Sequence, residues 1–278
     1  TSAGSDLSSF DALQGGETLT LSGSGTSASA NVANGIAMSS NGNLALVDGT
    51  GLASNYSLNS TVINITERVL NSSGSKIYDA NTDALAADIT LSNLVSGEAL
   101  NHSGTATISS ANAGSYTITN LAGITIADGS GGTASNYTLT GGTHNFTVNP
   151  KVVSIQGNKT YDGNTTISSG DITSITDTVG AETLVISSGS GTVSSANAAT
   201  YASAGINEGT LTLGNGTNGG LASNYTLTGH AASSFQVAQR VLSSSGSRIY
   251  DGSTTASSSD LTLSNLVGSE TLTLSGNG

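Results

Sequence analysis

Apolar residues alternate with Thr, Ser or Asn along most of this chain. A two-residue period predicts β-strands with one face buried, because successive side chains of a strand point to opposite faces. No segment shows the periodicity of an amphipathic helix. The clearest alternating segments are Ile89-Thr90-Leu91, Tyr116-Thr117-Ile118, Ile124-Thr125-Ile126 and Tyr137-Thr138-Leu139, together with the pairs Phe146 and Val148, Phe235 and Val237, and Ile63 and Ile65.

Asp-Gly or Asn-Gly dipeptides lie between the predicted strands, at Asp48-Gly49, Asp128-Gly129 and Asn215-Gly216. Both dipeptides tolerate positive φ, which tight hairpin turns require. We therefore expect a hairpin turn at each of these positions.

Three motifs recur in the same register. The first ends in Tyr-Asp, and its tyrosines, 83 and 89 residues apart, are Tyr78, Tyr161 and Tyr250. The second is Ala-Ser-Asn-Tyr, and its tyrosines, 81 and 88 residues apart, are Tyr56, Tyr137 and Tyr225. The third is a strand that begins with an acidic residue, at Glu17, Glu98, Glu182 and Glu270. The sequence from Glu17 to Gly23 is identical to that from Glu270 to Gly276, which suggests recent duplication.

These motifs predict tandem modules of 81–89 residues. Complete modules are expected at residues 68–150 and 151–239. Residues 1–67 are interpreted as the C-terminal part of a module, and residues 240–278 as the N-terminal part of another. The chain is therefore expected to be a window from a longer array.

The predicted fold class is all-β, as a tandem array of small β-sandwich or β-grasp-like modules. A module of this size buries only about 60% of its unfolded surface, so its neighbours are expected to help stabilise it. The alternative is a continuous β-solenoid. A solenoid would repeat at a period near 20 residues with similar coils, whereas the period here is about four times as long and the motifs within a module differ.

Composition excludes several classes of protein. The 278 residues contain 6 Lys and Arg against 18 Asp and Glu, for a net charge of −12. A nucleic-acid binder needs clustered cations, so nucleic acid is not an expected partner. The absence of Cys excludes disulfides and thiol chemistry. No apolar run is long enough for a transmembrane helix, so membrane insertion is not expected.

All six cations occupy two positions of the repeat. Arg68, Lys151 and Arg240 open the modules, and Lys76, Lys159 and Arg248 precede the Tyr-Asp motif. Lys and Arg interchange at both positions, so the positive charge matters and a nucleophilic amine does not. We interpret all six as structural ion-pair cations. Three sets of carboxylates are candidate partners: Asp6, Asp88, Asp171 and Asp260; Asp79, Asp162 and Asp251; or the Glu17-type position.

The Tyr-Asp motif is interpreted as structural. Tyr78, Tyr161 and Tyr250 are expected to be buried rings whose hydroxyls bond to the backbone at a strand corner. The alternative is a set of exposed platforms on which sugars stack. The adjacent aspartate is expected to close an Asx-type turn, followed by Gly163 or Gly252. Ala80 replaces this glycine in one copy, so positive φ is not expected to be essential there.

No candidate catalytic constellation is found. A glycosidase needs two carboxylates facing a cleft, and nothing in the chain places such a pair. No histidine and aspartate recur together, so no catalytic residue is assigned and no enzyme activity is predicted. No cofactor or metal ligand is predicted either. The Gly-rich loops 128–132 and 215–220 contain few carboxylates, so they are interpreted as turns, with weak calcium binding as the alternative.

The repeats resemble the YDG repeat of large bacterial surface proteins. The resemblance lies in KTYDGNTT at Lys159–Thr166, in RIYDGSTT at Arg248–Thr255, and in ASNYTLTG at Ala134–Gly141 and Ala222–Gly229. The copy KIYDANTD at Lys76–Asp83 departs further from the pattern. The resemblance implies a filamentous-haemagglutinin-like adhesin that is exported across the outer membrane to the bacterial surface, as in biofilms. It implies no catalytic residues.

The expected function is therefore that of a stalk or fibre segment, extending an adhesive region from the cell, with neighbouring modules of the same polypeptide as partners. Two alternatives remain. In one, the repeats bind glycan, matrix polysaccharide or a host surface by avidity. In the other, they self-assemble end to end by strand complementation.

Overall fold

The computed structural model describes residues 2–3, 13–59 and 61–276, and for residues 2–3 it describes the backbone alone. The fold is all-β, as predicted. The chain divides into two compact units. Unit 1 comprises Thr1–Ser75, Asp83–Ser109 and Tyr116–Phe146, and unit 2 comprises Lys76–Thr82, Ser110–Ser115 and Thr147–Gly278. The module boundaries at residues 68, 151 and 240 stay predictions.

Among the described residues, unit 1 contains the first fifteen strands. They are β1 (Ser2–Ala3), β2 (Leu19–Ser22), β3 (Ser24–Ser27), β4 (Ala33–Ser40), β5 (Ala45–Asp48), β6 (Val62–Ile65), β7 (Arg68–Val69), β8 (Asn71–Ile77), β9 (Asp83–Leu85), β10 (Ile89–Ser92), β11 (Leu100–Ile108), β12 (Gly114–Asn120), β13 (Ile124–Asp128), β14 (Tyr137–Thr138) and β15 (His144–Asn149). Three of these, β8, β12 and β15, have end residues that belong to unit 2.

Unit 2 contains the remaining strands. They are β16 (Lys151–Val152), β17 (Ser154–Thr160), β18 (Thr166–Ser168), β19 (Ile172–Thr176), β20 (Leu184–Ser188), β21 (Ser190–Val193), β22 (Ala199–Ala202), β23 (Ile206–Asn207), β24 (Thr212–Asn215), β25 (Tyr225–Thr226), β26 (Ser234–Ala238), β27 (Ser243–Gly246) and β28 (Leu261–Ser264).

The helical segments among the described residues are single 3₁₀ turns. They are η1 (Ala53–Asn55), η2 (Ala86–Asp88), η3 (Ala134–Asn136), η4 (Ser169–Asp171), η5 (Ser203–Gly205), η6 (Ala222–Asn224) and η7 (Ser258–Asp260). In η4 and η7 a serine and an aspartate cap each other's backbone: Ser168 with Asp171, and Ser257 with Asp260. Within the described residues, no helix is long and apolar enough to cross a membrane.

The sheets repeat one strand order. In one repeat the order is β10-β8-β15-β12, continuing into β11 and β13, and in the next it is β19-β17-β26-β22. The inner pair of the second set, β17 and β26, is parallel, and both flanking pairs are antiparallel. Smaller ribbons complete the repeats: β2 with β5, β20 with β24, β14 with β7, and β16 with β25. Short separate sheets of this kind form modules and not a continuous β-solenoid.

The alternation of the sequence places the core on one face of each central sheet. In β15, Phe146 and Val148 are both 1% exposed, and in β26, Phe235 and Val237 take the same places. Gly157 lies against the ring of Phe235, where an added Cβ would be 2.8 Å from that ring and 2.5 Å from a backbone oxygen. The phenylalanine therefore packs directly on the backbone of the neighbouring strand, which only glycine permits.

The Asp-Gly and Asn-Gly positions do not form the predicted hairpin turns. Gly49, Gly129 and Gly216 do not have positive φ. Instead, a Cβ at these positions would lie 2.1–2.3 Å from the backbone oxygen of Thr18, Ala99 or Thr183. The glycine is needed for the close approach of a second strand, and the sequence pattern could not distinguish that from a turn.

Candidate functional site

The site is built on the Ala-Ser-Asn-Tyr motif, which forms a 3₁₀ turn followed by a short strand. The turn η6 begins where Ala222 N–H donates to Asn215 Oδ1 at 2.8 Å, and Ala134 N–H likewise donates to Asp128 Oδ1 at 2.7 Å. Asn215 and Asp128, the residues before the glycines of the Asn-Gly and Asp-Gly dipeptides, therefore anchor this turn through their side chains. That anchoring fixes the direction of the Asn and Tyr that end the motif.

The carboxylate of Glu182 joins two tyrosines. Tyr225 donates its hydroxyl to Glu182 Oε2 at 2.6 Å, and Tyr78 donates its own to Oε1 at 2.7 Å. The two rings meet edge to face with centroids 5.3 Å apart, a geometry that aromatic pairs prefer. Both tyrosines are 5% exposed. One acidic side chain thus connects the Tyr-Asp motif of one repeat to the Asn-Tyr motif of the next.

An asparagine adds a second connection. Asn224 is fully buried, and its Oδ1 accepts the N–H of Ala113 at 2.8 Å while its Nδ2 donates to Asn112 Oδ1 at 3.0 Å. A buried amide needs such partners on both atoms. We call Tyr78, Asn112, Glu182, Asn224 and Tyr225, all within unit 2, the Tyr78 junction.

Burial and the neighbouring carboxylate raise the pKa of both junction tyrosines. Loss of solvent is the larger cause and the hydrogen bond to Glu182 the second, and together they raise the pKa of Tyr78 and that of Tyr225 to about 12. Both hydroxyls are therefore protonated donors at neutral pH.

Unit 1 contains parts of the same arrangement. Tyr137 donates to Glu98, and Tyr56 donates to Glu17. Asn136 Oδ1 accepts the N–H of Val32 at 2.9 Å, and its Nδ2 donates to Asn31 at 3.0 Å. The same contacts in independent copies indicate that the repeat encodes them.

The tyrosines of the Tyr-Asp motif differ in environment. Tyr78 is buried, Tyr161 is half-buried and Tyr250 is 92% exposed. Tyr161 donates its hydroxyl to Glu270, as Tyr78 does to Glu182. The expectation that these hydroxyls bond to the backbone is therefore wrong for Tyr78 and Tyr161, because the acceptor of each is a glutamate from the following repeat. The sequence alone did not reveal that the acidic-led strand lies beside the motif.

The cations before the motif lie next to its aspartates. Salt bridges join Lys76 to Asp79 at 2.8 Å, Lys159 to Asp162 at 2.9 Å and Arg248 to Asp251 at 2.7 Å. The best enclosed is Lys159, whose ammonium also donates to both oxygens of Asn164 and to Thr166 O. Burial acts to raise the pKa of Asp162, but hydrogen bonds from Lys159 and the Asn164 N–H outweigh it and hold that pKa below its ordinary value.

The cations that open the modules have different partners. Arg68 donates to Asn93, and Arg240 donates to Asn265, in each case to the backbone and side-chain oxygens. Lys151 is half-buried in β16, and within residues 13–59 and 61–276 it makes no ion pair. Asp6, one of the candidate partners, lies outside the described residues.

The aspartates of the motif close the predicted Asx-type turn. The carboxylates of Asp79, Asp162 and Asp251 accept the N–H two residues later at 2.9–3.1 Å. The expectation for Ala80 is wrong: its φ is +63°, in the same left-handed region as Gly163 at +80°. The turn imposes this conformation in all copies, and Ala80 adopts it at a cost in strain.

The asparagines at positions 31 and 112 were missed in the sequence. The sequence feature that could have identified them is the recurring Ala-Asn dipeptide, at Ala30-Asn31, Ala111-Asn112 and Ala196-Asn197.

Among the described residues, no group of three or more His, Asp or Glu is placed to hold a metal ion. The weak calcium site stays a prediction.

The comparisons with known proteins agree with the repeat motif. Residues 66–145 match the family model of the YDG domain. No curated protein and no solved structure matches this chain.

Proposed function

We propose that this chain is a mechanical stalk or fibre segment of a secreted or cell-surface bacterial adhesin, extending an adhesive region from the cell and having no enzyme activity. The YDG match at residues 66–145 and the tandem motifs support the class of protein. The burial of Tyr78, Tyr137 and Tyr225 supports a structural role for these rings over sugar binding, because a stacking platform must be exposed.

The observation that carries the proposal is the parallel pairing of the first long strand and the last strand of one repeat. Five residue pairs join β17 to β26, from Gln156 with Ser234 to Thr160 with Ala238. In a parallel pair, the start of one strand and the end of the other lie at opposite ends. Tension on the two ends of the repeat therefore loads the whole ladder at once in shear, which resists force better than opening it bond by bond.

Single-molecule force spectroscopy tests this role, and the chain lacks native Cys, so introduced cysteines are unique attachment points. Attachment through Pro150→Cys and Gln239→Cys pulls the repeat in shear. We expect one discrete unfolding event that releases roughly 30 nm, the extended length of such a module.

The matched control attaches the same module through Thr160→Cys and Gln239→Cys, which lie at the same end of the parallel pair. This geometry opens the ladder one pair at a time, so we expect a rupture force several-fold lower. Equal forces in the two geometries, or extension without a discrete event, would contradict a mechanical role for the repeat.

A further inference from the structure

Two tyrosine rings of the Tyr78 junction meet at one carboxylate within unit 2. Tyr78 donates its hydroxyl to Glu182 Oε1 at 2.7 Å, and Tyr225 donates to Oε2 at 2.6 Å. The ring centroids are 5.3 Å apart, and the ring planes are inclined by 78°. Because both hydroxyls end on the same carboxylate, the ring carbons ortho to them lie on neighbouring edges. These are the carbons at which two phenols couple when they are oxidised.

We propose that Tyr78 and Tyr225 form a cross-linking site, at which a one-electron oxidant couples the two rings into dityrosine. The new bond joins the carbon ortho to one hydroxyl to the equivalent carbon of the other ring. It links the Tyr-Asp motif of one repeat covalently to the Asn-Tyr motif of the next, between residues 147 positions apart. This inference goes beyond the stalk role and does not depend on it.

The coupling consumes two equivalents of the oxidant. Each tyrosine gives one electron to the oxidant and its hydroxyl proton to Glu182, which leaves two phenoxyl radicals. The radicals form the carbon–carbon bond. The hydrogen on each bonded carbon then moves to the phenol oxygen as a proton, which restores both aromatic rings. Overall, the pair of tyrosines loses two electrons and two protons.

Glu182 is placed to accept the protons. Oxidation of a phenol to its neutral radical requires loss of the hydroxyl proton, and both hydroxyls already donate to this carboxylate. Burial and the hydrogen bond to Glu182 raise the pKa of both tyrosines to about 12, so at neutral pH each hydroxyl still carries its proton when oxidation begins. Glu182 is half-buried, so it passes each proton on to solvent.

Burial of the two rings selects the coupling partner. Both tyrosines are 5% exposed, so a radical on either ring is shielded from other molecules and has the second ring beside it. The product fits the same place. The two hydroxyls of dityrosine lie next to the new bond, where both can still donate to Glu182, and rings joined in this way are twisted relative to each other, as these rings already are.

Photo-oxidation of the full chain with a ruthenium tris-bipyridine complex and persulfate removes single electrons from tyrosine and tests the proposal. The monomer is first separated on a denaturing gel, since exposed tyrosines such as Tyr250 couple between molecules. Trypsin then releases Tyr78 in the peptide of residues 77–151 and Tyr225 in that of residues 160–240. We expect these peptides to be joined with loss of two hydrogen atoms, and fragment ions to place the bond at Tyr78 and Tyr225.

Three variants test the roles of the side chains, and circular dichroism checks that each folds. Tyr78→Phe should abolish the joined peptide. Tyr201→Phe is the matched control, because Tyr201 lies in the same tryptic peptide as Tyr225 but donates to the backbone oxygen of Asn197 at 2.6 Å. This control should cross-link like the parent chain. Glu182→Gln keeps a hydrogen-bond acceptor but loses the proton acceptor, so it should lower the yield several-fold.

Mapping of the bond in the parent chain gives the decisive result, since it requires no substitution. A monomer in which the two peptides are not joined, a bond that fragment ions place at other tyrosines, or an undiminished yield in Tyr78→Phe would overturn the proposal. A yield in Glu182→Gln equal to that of the parent chain would overturn the role of this carboxylate as proton acceptor.

Discussion

Replacing Tyr78 by Phe tests whether the glutamate holds two repeats together. The change removes one hydroxyl and preserves the ring, so the edge-to-face contact with Tyr225 remains. The lost bond is 2.7 Å long, is formed by a residue that is 5% exposed, and ends on a carboxylate. Hydrogen bonds to charged groups stabilise proteins by about 1.5–3 kcal/mol, and we expect a loss in this range for opening the junction.

Hydrogen exchange of the Ala113 amide measures this opening directly, because that N–H is bonded to Asn224 within the junction. A loss of about 1.5–3 kcal/mol corresponds to exchange that is roughly 10- to 150-fold faster when opening limits exposure. Tyr250→Phe is the control, and we expect no change there, since Tyr250 is 92% exposed. Exchange at Ala113 that changes less than about threefold in Tyr78→Phe would refute the reasoning.

Four further outcomes are expected. The two junction tyrosines have a pKa raised from 10.0 to about 12, so between these pH values the folded state keeps protons that the unfolded state loses. The tyrosines' contribution to stability should be complete below about pH 10 and should fall as pH rises towards 12. Tyrosinate absorbance measures the ionisation, and circular dichroism measures the loss of folded protein. Gly157→Ala should cost about 2–3 kcal/mol in urea unfolding because its Cβ meets backbone and a ring, whereas Gly170→Ala, with open space around it, should change stability by less than about 0.5 kcal/mol. Asp162→Asn removes the charge beside an enclosed ammonium and should cost about 1–2 kcal/mol by thermal melting, whereas Asp251→Asn, in the more exposed copy, should lower the melting temperature less; equal losses would contradict this. Ala80→Gly should stabilise by about 0.5–1 kcal/mol, since relief of left-handed strain exceeds the entropy cost of glycine, and a lower denaturation midpoint would disprove it.

Part of the candidate site could be predicted from the sequence. The recurrence of Tyr78, Glu182 and Tyr225 in one register marked these positions as structural. Their mutual contact could not be predicted, because Glu182 is 104 residues from Tyr78 and 43 from Tyr225, and only the packing of consecutive repeats brings the three together. The same limitation explains the error on the tyrosine hydroxyls, since the residues around each tyrosine are the same whether its hydroxyl bonds to the backbone or to a glutamate of the next repeat.

Glycine shows a related limitation. Gly49 follows an aspartate, a pattern typical of a turn, and Gly157 lies within strand β17, yet neither has positive φ. Gly49 admits the backbone oxygen of Thr18, and Gly157 admits the ring of Phe235. Local sequence therefore cannot tell positive φ from close approach, as the error on Ala80 and the Asp-Gly positions demonstrates.

The sequence by itself determined the all-β class, the tandem period, the buried faces of the strands and the Asx-type turn, because these depend on side-chain alternation, recurrence and hydrogen bonds between near neighbours. The tertiary structure alone decided which strands pair in parallel and which carboxylate receives each tyrosine. Those features depend on residues far apart in the chain, whose approach is set by the packing of one repeat on the next.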